Sequence, residues 1–159
     1  MSTSEGLVVS DRLRKATPIN GDSVISLAVS PFEEDLSFLQ RMFDDANWKL
    51  LTAHTCREGM AQLSRVLIPV VLCECQLADG DWKDILSPVT RKLEPPRVIV
   101  VSRHADERLW SEVLSLGGFD LLATPFREVE VGYAIGTAWL DWKYARDRQG
   151  RALMVTTFR

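Results

Sequence analysis

Apolar residues along this chain recur with two periods, one of strands and one of helices, and the two alternate. Val24 to Val29 (VISLAV) is a β-branched run of strand length, and Phe32, Leu36, Leu39 and Phe43 then recur at helical spacing. Ser30, Pro31 and Glu33 predict a capped helix start, with Ser30 as N-cap, Pro31 at the first helical position and Glu33 closing a capping box. Lys49 to Ala53 predicts a more polar strand at a sheet edge. Thr55 to Glu58 predicts a second capping box, opening a helix with Cys56, Met60, Leu63 and Leu67 inward. Val70 to Cys73, behind Pro69, is the most continuously apolar strand and so the predicted centre of the sheet. Ala78-Asp79-Gly80-Asp81 is turn chemistry, Trp82 to Lys92 a short helix and Arg97 to Ser102 a fourth strand. Ala105, Leu109, Val113 and Leu116 predict a helix stopped by Gly117-Gly118. Phe119 to Ala123 predicts the fifth strand, and Val131, Ile135, Ala138 and Trp142 mark a long last helix.

Strands alternating with helices predict an α/β fold: a three-layer α/β/α sandwich around a five-stranded parallel sheet, because parallel strands need crossover connections. Ligands of such sheets bind beyond the carboxyl ends of the strands. Here those ends are Ser30-Pro31, Cys73 to Gln76, Ser102 and Thr124. Residues 1–22 are expected to be a flexible polar leader, 23–144 the folded domain, and 145–159 a basic C-terminal tail.

The 159 residues suit one domain, and 46% apolar with 26% charged residues is globular composition. A net charge of −3 gives no broad basic field, so no direct nucleic-acid partner is expected. No apolar run approaches a membrane span and none near Met1 resembles a signal peptide, so no membrane partner is expected. Three cysteines, Cys56, Cys73 and Cys75, then point to a cytoplasmic protein with reduced thiols. Cys73 and Cys75 share a strand face, but two thiols without a nearby His are a weak metal signal, and burial as small hydrophobes is the simpler reading. His54 and His104 sit near helix starts with no nucleophile in sight, which suits surface or capping roles.

Three stretches carry a family resemblance, in agreeing order and intervals. They are Val70-Val71-Leu72-Cys73-Glu74-Cys75-Gln76-Leu77-Ala78-Asp79-Gly80-Asp81-Trp82, Val98-Ile99-Val100-Val101-Ser102, and Gly117-Gly118-Phe119-Asp120-Leu121-Leu122-Ala123-Thr124-Pro125-Phe126. Over roughly residues 24–143 the chain resembles the receiver domain of two-component response regulators. The resemblance implies a flavodoxin-like (CheY-like) strand order 2-1-3-4-5 and a role in bacterial signal transduction. It places Glu74 at the phosphoacceptor position, Ser30 and Pro31 at the acidic pair, Thr124 at the lysine, Ser102 at the switch hydroxyl and Leu121 at the switch aromatic.

The chemistry implied there needs an aspartate nucleophile, a cation held by two further acids, and a lysine to steady the phosphoryl oxygens. Only Ser102 is retained in kind. The expectation is therefore a degenerate, phosphorylation-independent pseudo-receiver, not an enzyme, with no cofactor, no metal site and weak or absent Mg²⁺ binding. Glu74 is a candidate imitation of a phosphorylated residue. Glu33, Glu34 and Asp35 are expected to face solvent from a first helical turn. Output is expected in trans through a protein partner, with no fused output domain. A homodimer through the fourth and fifth helices is among the expectations, with Trp110, Phe119 and Trp139 as candidate interface residues. Two alternatives stay open: a phosphoacceptor receiver in a phosphorelay with relaxed metal needs, and a small-molecule or thiol-redox module.

Overall fold

The computed structural model describes residues 24–157, with side chains to 151; the predicted leader lies outside the described residues. The elements run β1 (Ile25–Val29), α1 (Glu33–Ala46), β2 (Lys49–Ala53), α2 (Cys56–Arg65), β3 (Val70–Glu74), β4 (Gln76–Leu77), β5 (Gly80–Asp81), α3 (Trp82–Val89), β6 (Arg97–Ser102), α4 (Glu107–Ser115), β7 (Asp120–Ala123) and α5 (Glu128–Thr157). Five strands form one parallel sheet in the order β2-β1-β3-β6-β7, the flavodoxin-like order expected from the sequence. A two-stranded antiparallel ribbon, β4 with β5, was not foreseen.

The period of two along each strand builds two cores. Ala28, Val70, Leu72, Ile99, Val101 and Leu122 pack under α1 and α5. Leu27, Val29, Val71, Cys73, Val98 and Val100 pack under α2, α3 and α4. β3 is buried at all five positions, as its composition required of a central parallel strand. The predicted inward row of α5, Val131, Ile135, Ala138 and Trp142, is buried throughout.

Two helices end alike. In α4 the Gly118 N–H donates to Val113 C=O (2.8 Å) and the Gly117 N–H to Leu114 C=O (3.2 Å), with Gly117 at φ +98°. In α1 the Trp48 N–H donates to Phe43 C=O (2.8 Å) and the Asn47 N–H to Asp44 C=O (3.1 Å), with Asn47 at φ +58°. Both pairs match last carbonyls with the donors of a left-handed turn. Trp48 then meets Phe43 edge-on at 5.7 Å.

The helix starts depart from expectation. The Ser30 N–H still donates to Ala53 C=O (2.9 Å), so Ser30 belongs to the sheet ladder. Its hydroxyl accepts from the Phe32 N–H (3.1 Å), and α1 begins only at Glu33. In α2 the Thr55 hydroxyl caps Glu58 N–H (3.1 Å), but Glu58 accepts from His54 N–H (2.7 Å) instead of closing a box on Thr55. The remaining donors of that first turn go to a residue far away in sequence: the Asp79 carboxylate accepts from Cys56 N–H (2.8 Å) and Arg57 N–H (3.0 Å). Leu67, predicted inward, is exposed because α2 has already ended.

α3 opens with a true capping box, Asp81 with Asp84. Gly80 before it is at φ +156°, and a Cβ there would fall on the Asp84 carboxylate, so the turn requires glycine.

Residues 145–157, expected in a C-terminal tail, are helical. α5 continues through them to Thr157. Arg146 ties this extension down, reaching Glu94 (3.3 Å) while its guanidinium lies 5.3 Å from the centre of the Trp142 ring.

Candidate functional site

The carboxyl ends of β1, β3, β6 and β7 meet at one edge of the sheet, and Glu74 closes β3 there. The strand parity that carries Val70 and Leu72 turns its side chain to the α1 face, into a small cavity lined by Ala28, Ser30, Asp35, Leu72, Val101 and Phe126 among others. Glu74 is 5% exposed, and its Oε2 has no hydrogen-bond partner. Burial, and then the neighbouring Asp35 charge, raise its pKa from the ordinary 4.5 to about 7, against a lowering pull from Arg103.

Asp35 was expected in solvent and is not. It is 8% exposed, shares the Glu74 cavity, and its Oδ2 has no partner. With α1 starting at Glu33, Asp35 heads a second buried row continued by Leu39, Met42 and Ala46. That spacing of four, seven and eleven was readable in the sequence. Burial raises the Asp35 pKa, with Glu34 adding to the shift and Arg103 opposing it. Arg103 itself is engaged by Glu34 (3.3 Å) and by the Phe32 ring, 4.1 Å from its centroid. Beside the rim, exposed His54 bonds Glu33 (2.6 Å) and lies 3.5 Å from Glu58; the Glu33 bond chiefly raises its pKa.

The other predicted positions divide. Pro31 is exposed and Ser30 buried, and neither offers a carboxylate. Thr124 is 9% exposed, follows β7 and precedes a cis bond to Pro125; its Oγ1 has no partner. Ser102 does not face Glu74. The register pairs Glu74 with Val101, so Ser102 lies on the opposite face, where its hydroxyl accepts from His104 N–H (3.0 Å). Leu121 packs half-buried in the core on that same opposite face.

The divalent cation implied by the resemblance finds a poor donor set here. Only the Asp35 and Glu74 carboxyls converge, Arg103 acts on both, and no group of three or more metal-ligating side chains forms among the described residues. The thiols are equally unsuited to chemistry. Burial pushes Cys56 up to about 11 and Cys73 higher still, so thiolate is scarce near neutrality.

Of the candidate interface residues, Trp110 is 48% exposed, Phe119 is half-buried against the α1/α5 core, and Trp139 is 2% exposed inside that core. Trp139 is withdrawn from the interface because it follows Ile135 by one turn on the inward side of α5. Exposed apolar residues instead run along α4 (Trp110, Leu114) and α5 (Tyr133, Leu140, Tyr144). No helix among the described residues is long and apolar enough to cross a membrane.

No protein-family model matches the chain, and no curated protein matches it. Solved structures do. The signal receiver domain of an HD domain-containing protein from Pseudomonas fluorescens Pf-5 superposes with a TM-score of 0.75 at 18% identity, covering 83% of this chain and 98% of that one. A CheY-like response regulator receiver domain protein from Methanospirillum hungatei JF-1 gives 0.71 at 15% identity, over 78% and 99%. The beryllofluoride-activated NtrC4 receiver domain dimer gives 0.69 at 21% identity, over 74% and 98%. At such identities the likeness speaks for architecture: this chain has the fold of response-regulator receiver domains.

Proposed function

We propose that the chain is a cytoplasmic signalling module on the receiver fold that works by protein–protein contact, without taking up a phosphoryl group and without catalysing a reaction. One observation carries this reading: the carboxyl at the phosphoacceptor position is buried under α1 and shifted to about 7, with no ammonium at Thr124 and no acids at Ser30 and Pro31. Phosphoryl transfer depends on positioning and on stabilising developing negative charge. A shielded, half-protonated nucleophile beside a second carboxyl opposes both requirements. Recognition then falls to the exposed apolar side chains of α4 and α5, Trp110 and Leu114 on one and Tyr133, Leu140 and Tyr144 on the other. Aromatic residues of this kind are enriched in binding hot spots, and a second copy of the chain is a natural occupant alongside a protein partner.

A second reading has one observation in its favour. Asp35 brings a carboxyl beside Glu74, as a phosphoacceptor with relaxed metal needs would require. Phos-tag electrophoresis after incubation with acetyl phosphate and Mg²⁺ separates the two. The expected result is no shifted band, and a stoichiometric one would overturn the proposal.

A further inference from the structure

Three buried polar atoms at the carboxyl edge of the sheet have no partner: Oε2 of Glu74, Oδ2 of Asp35 and Oγ1 of Thr124. Each belongs to a residue at least nine-tenths buried. Asp35 links them, since it lines both the Glu74 cavity and an open cleft that also reaches Thr124. This cleft, about 920 Å³ counting its mouth, runs between the start of α1, the loop after β6 and the loop after β7. Phe38 and Phe126, with ring centroids 5.5 Å apart, form its apolar wall.

All three atoms can accept hydrogen bonds, and two belong to carboxyls, so the complementary ligand is a cation rich in N–H donors. A divalent metal would want about six hard oxygens and finds two carboxyls. A guanidinium needs a flat fork of acceptors, and Arg103, which has one at the cleft mouth, bonds Glu34 instead. An ammonium has three donors in a tripod and is favoured by aromatic walls.

We propose that this cleft binds a primary ammonium group on an unbranched alkyl stem, with Asp35 and Thr124 accepting its N–H bonds, Glu74 adding its charge from the adjoining cavity, and the Phe38–Phe126 wall packing the stem. The site is separate from the α4 and α5 surface and goes beyond the recognition role assigned to it. Two sources carry the required group, a lysine side chain of a protein and a free diamine.

The test titrates the full, isotope-labelled chain at fixed near-neutral pH, following backbone amide signals. The probes are Nα-acetyl-lysine methylamide, cadaverine, the doubly acetylated lysine methylamide as a neutral control, and MgCl₂. The amines are expected to give saturable millimolar shifts at Asp35 and Thr124, and the neutral control none. In the Asp35→Asn/Glu74→Gln protein, which keeps shape and loses charge, affinity should fall about tenfold or more. Thr124→Val should weaken binding several-fold and serves if the double variant does not fold. Tighter binding of the lysine derivative assigns a protein lysine, tighter binding of cadaverine a free amine, and either supports the site. Unsaturable amine shifts, an equal response to the neutral control, unchanged affinity in the variants, or saturation by Mg²⁺ below the amine range would each overturn it. Phos-tag labelling bears on none of these outcomes, so the two proposals fail separately.

Discussion

Glu74→Gln should make the protein more stable at alkaline pH and indifferent at acid pH. The carboxyl releases its proton near 4.5 in the unfolded chain and about 7 in the fold. Below 4.5 both states hold the proton and the residue is neutral in each. Between the two values the fold holds a proton that the unfolded chain has lost, so stability falls as pH rises. At ~1.4 kcal/mol per pH unit over that window, full ionisation costs the fold up to about 3.4 kcal/mol. Relaxation around a cavity beside an open cleft reduces this to about 1–3 kcal/mol. Glutamine keeps the shape and carries no such penalty.

Urea unfolding at pH values on both sides of this window measures the effect. The two proteins should agree within about 0.5 kcal/mol at the acid end, and Glu74→Gln should lead by about 1–3 kcal/mol at the alkaline end. His54 also has a raised pKa, so its contribution is lost as pH rises above its ordinary 6.5, in the same direction. It is present in both proteins, and the difference curve cancels it. A difference that does not grow with pH, or a variant weaker than the parent at the alkaline end, would refute the burial argument.

Trp139→Ala should cost about 3–5 kcal/mol of unfolding free energy, as for a large core side chain, while Trp110→Ala should stay within about 0.5 kcal/mol; denaturant melts that reverse this order would contradict the burial described for α5. Asp79→Asn should speed hydrogen exchange at the Cys56 and Arg57 amides. The bonds from those amides hold the Asp79 pKa below its ordinary 3.8, so the stability it gives is present above 3.8 and lost as pH falls through the lower folded value. The asparagine protein should therefore show a smaller drop on acidification through that range, and an unchanged acid profile would count against the clamp.

Much of the fold was legible because its signals are local. Each main-sheet strand is a block of four to six residues whose burial follows its composition, and Gly117-Gly118 stops α4 by a backbone rule. The site was less legible because it depends on phase and on distant partners. Asp35 turns inward only because Ser30 stays with the sheet and delays α1, which shifts the helical row through Leu39, Met42 and Ala46. The capping of α2 by Asp79 spans more than twenty residues and leaves no spacing to read. That Ser102 and Glu74 lie on opposite faces follows from the pairing of Glu74 with Val101, which exists only once the sheet is assembled. Trp139 was misjudged on type: a tryptophan read as an interface residue, although it sits on the inward side of α5.

The length of α5 makes the domain a lever. Arg146 is the last residue seen to tie it down, through Glu94, and the helix runs eleven residues further, ~16 Å at 1.5 Å per residue. A tilt of roughly ten degrees in its packing on the sheet would swing the far end by about 3 Å, taking the rod as rigid over those turns. A small rearrangement where Phe126 meets the Glu74 cavity, just ahead of the helix, would therefore be magnified at the opposite pole of the molecule.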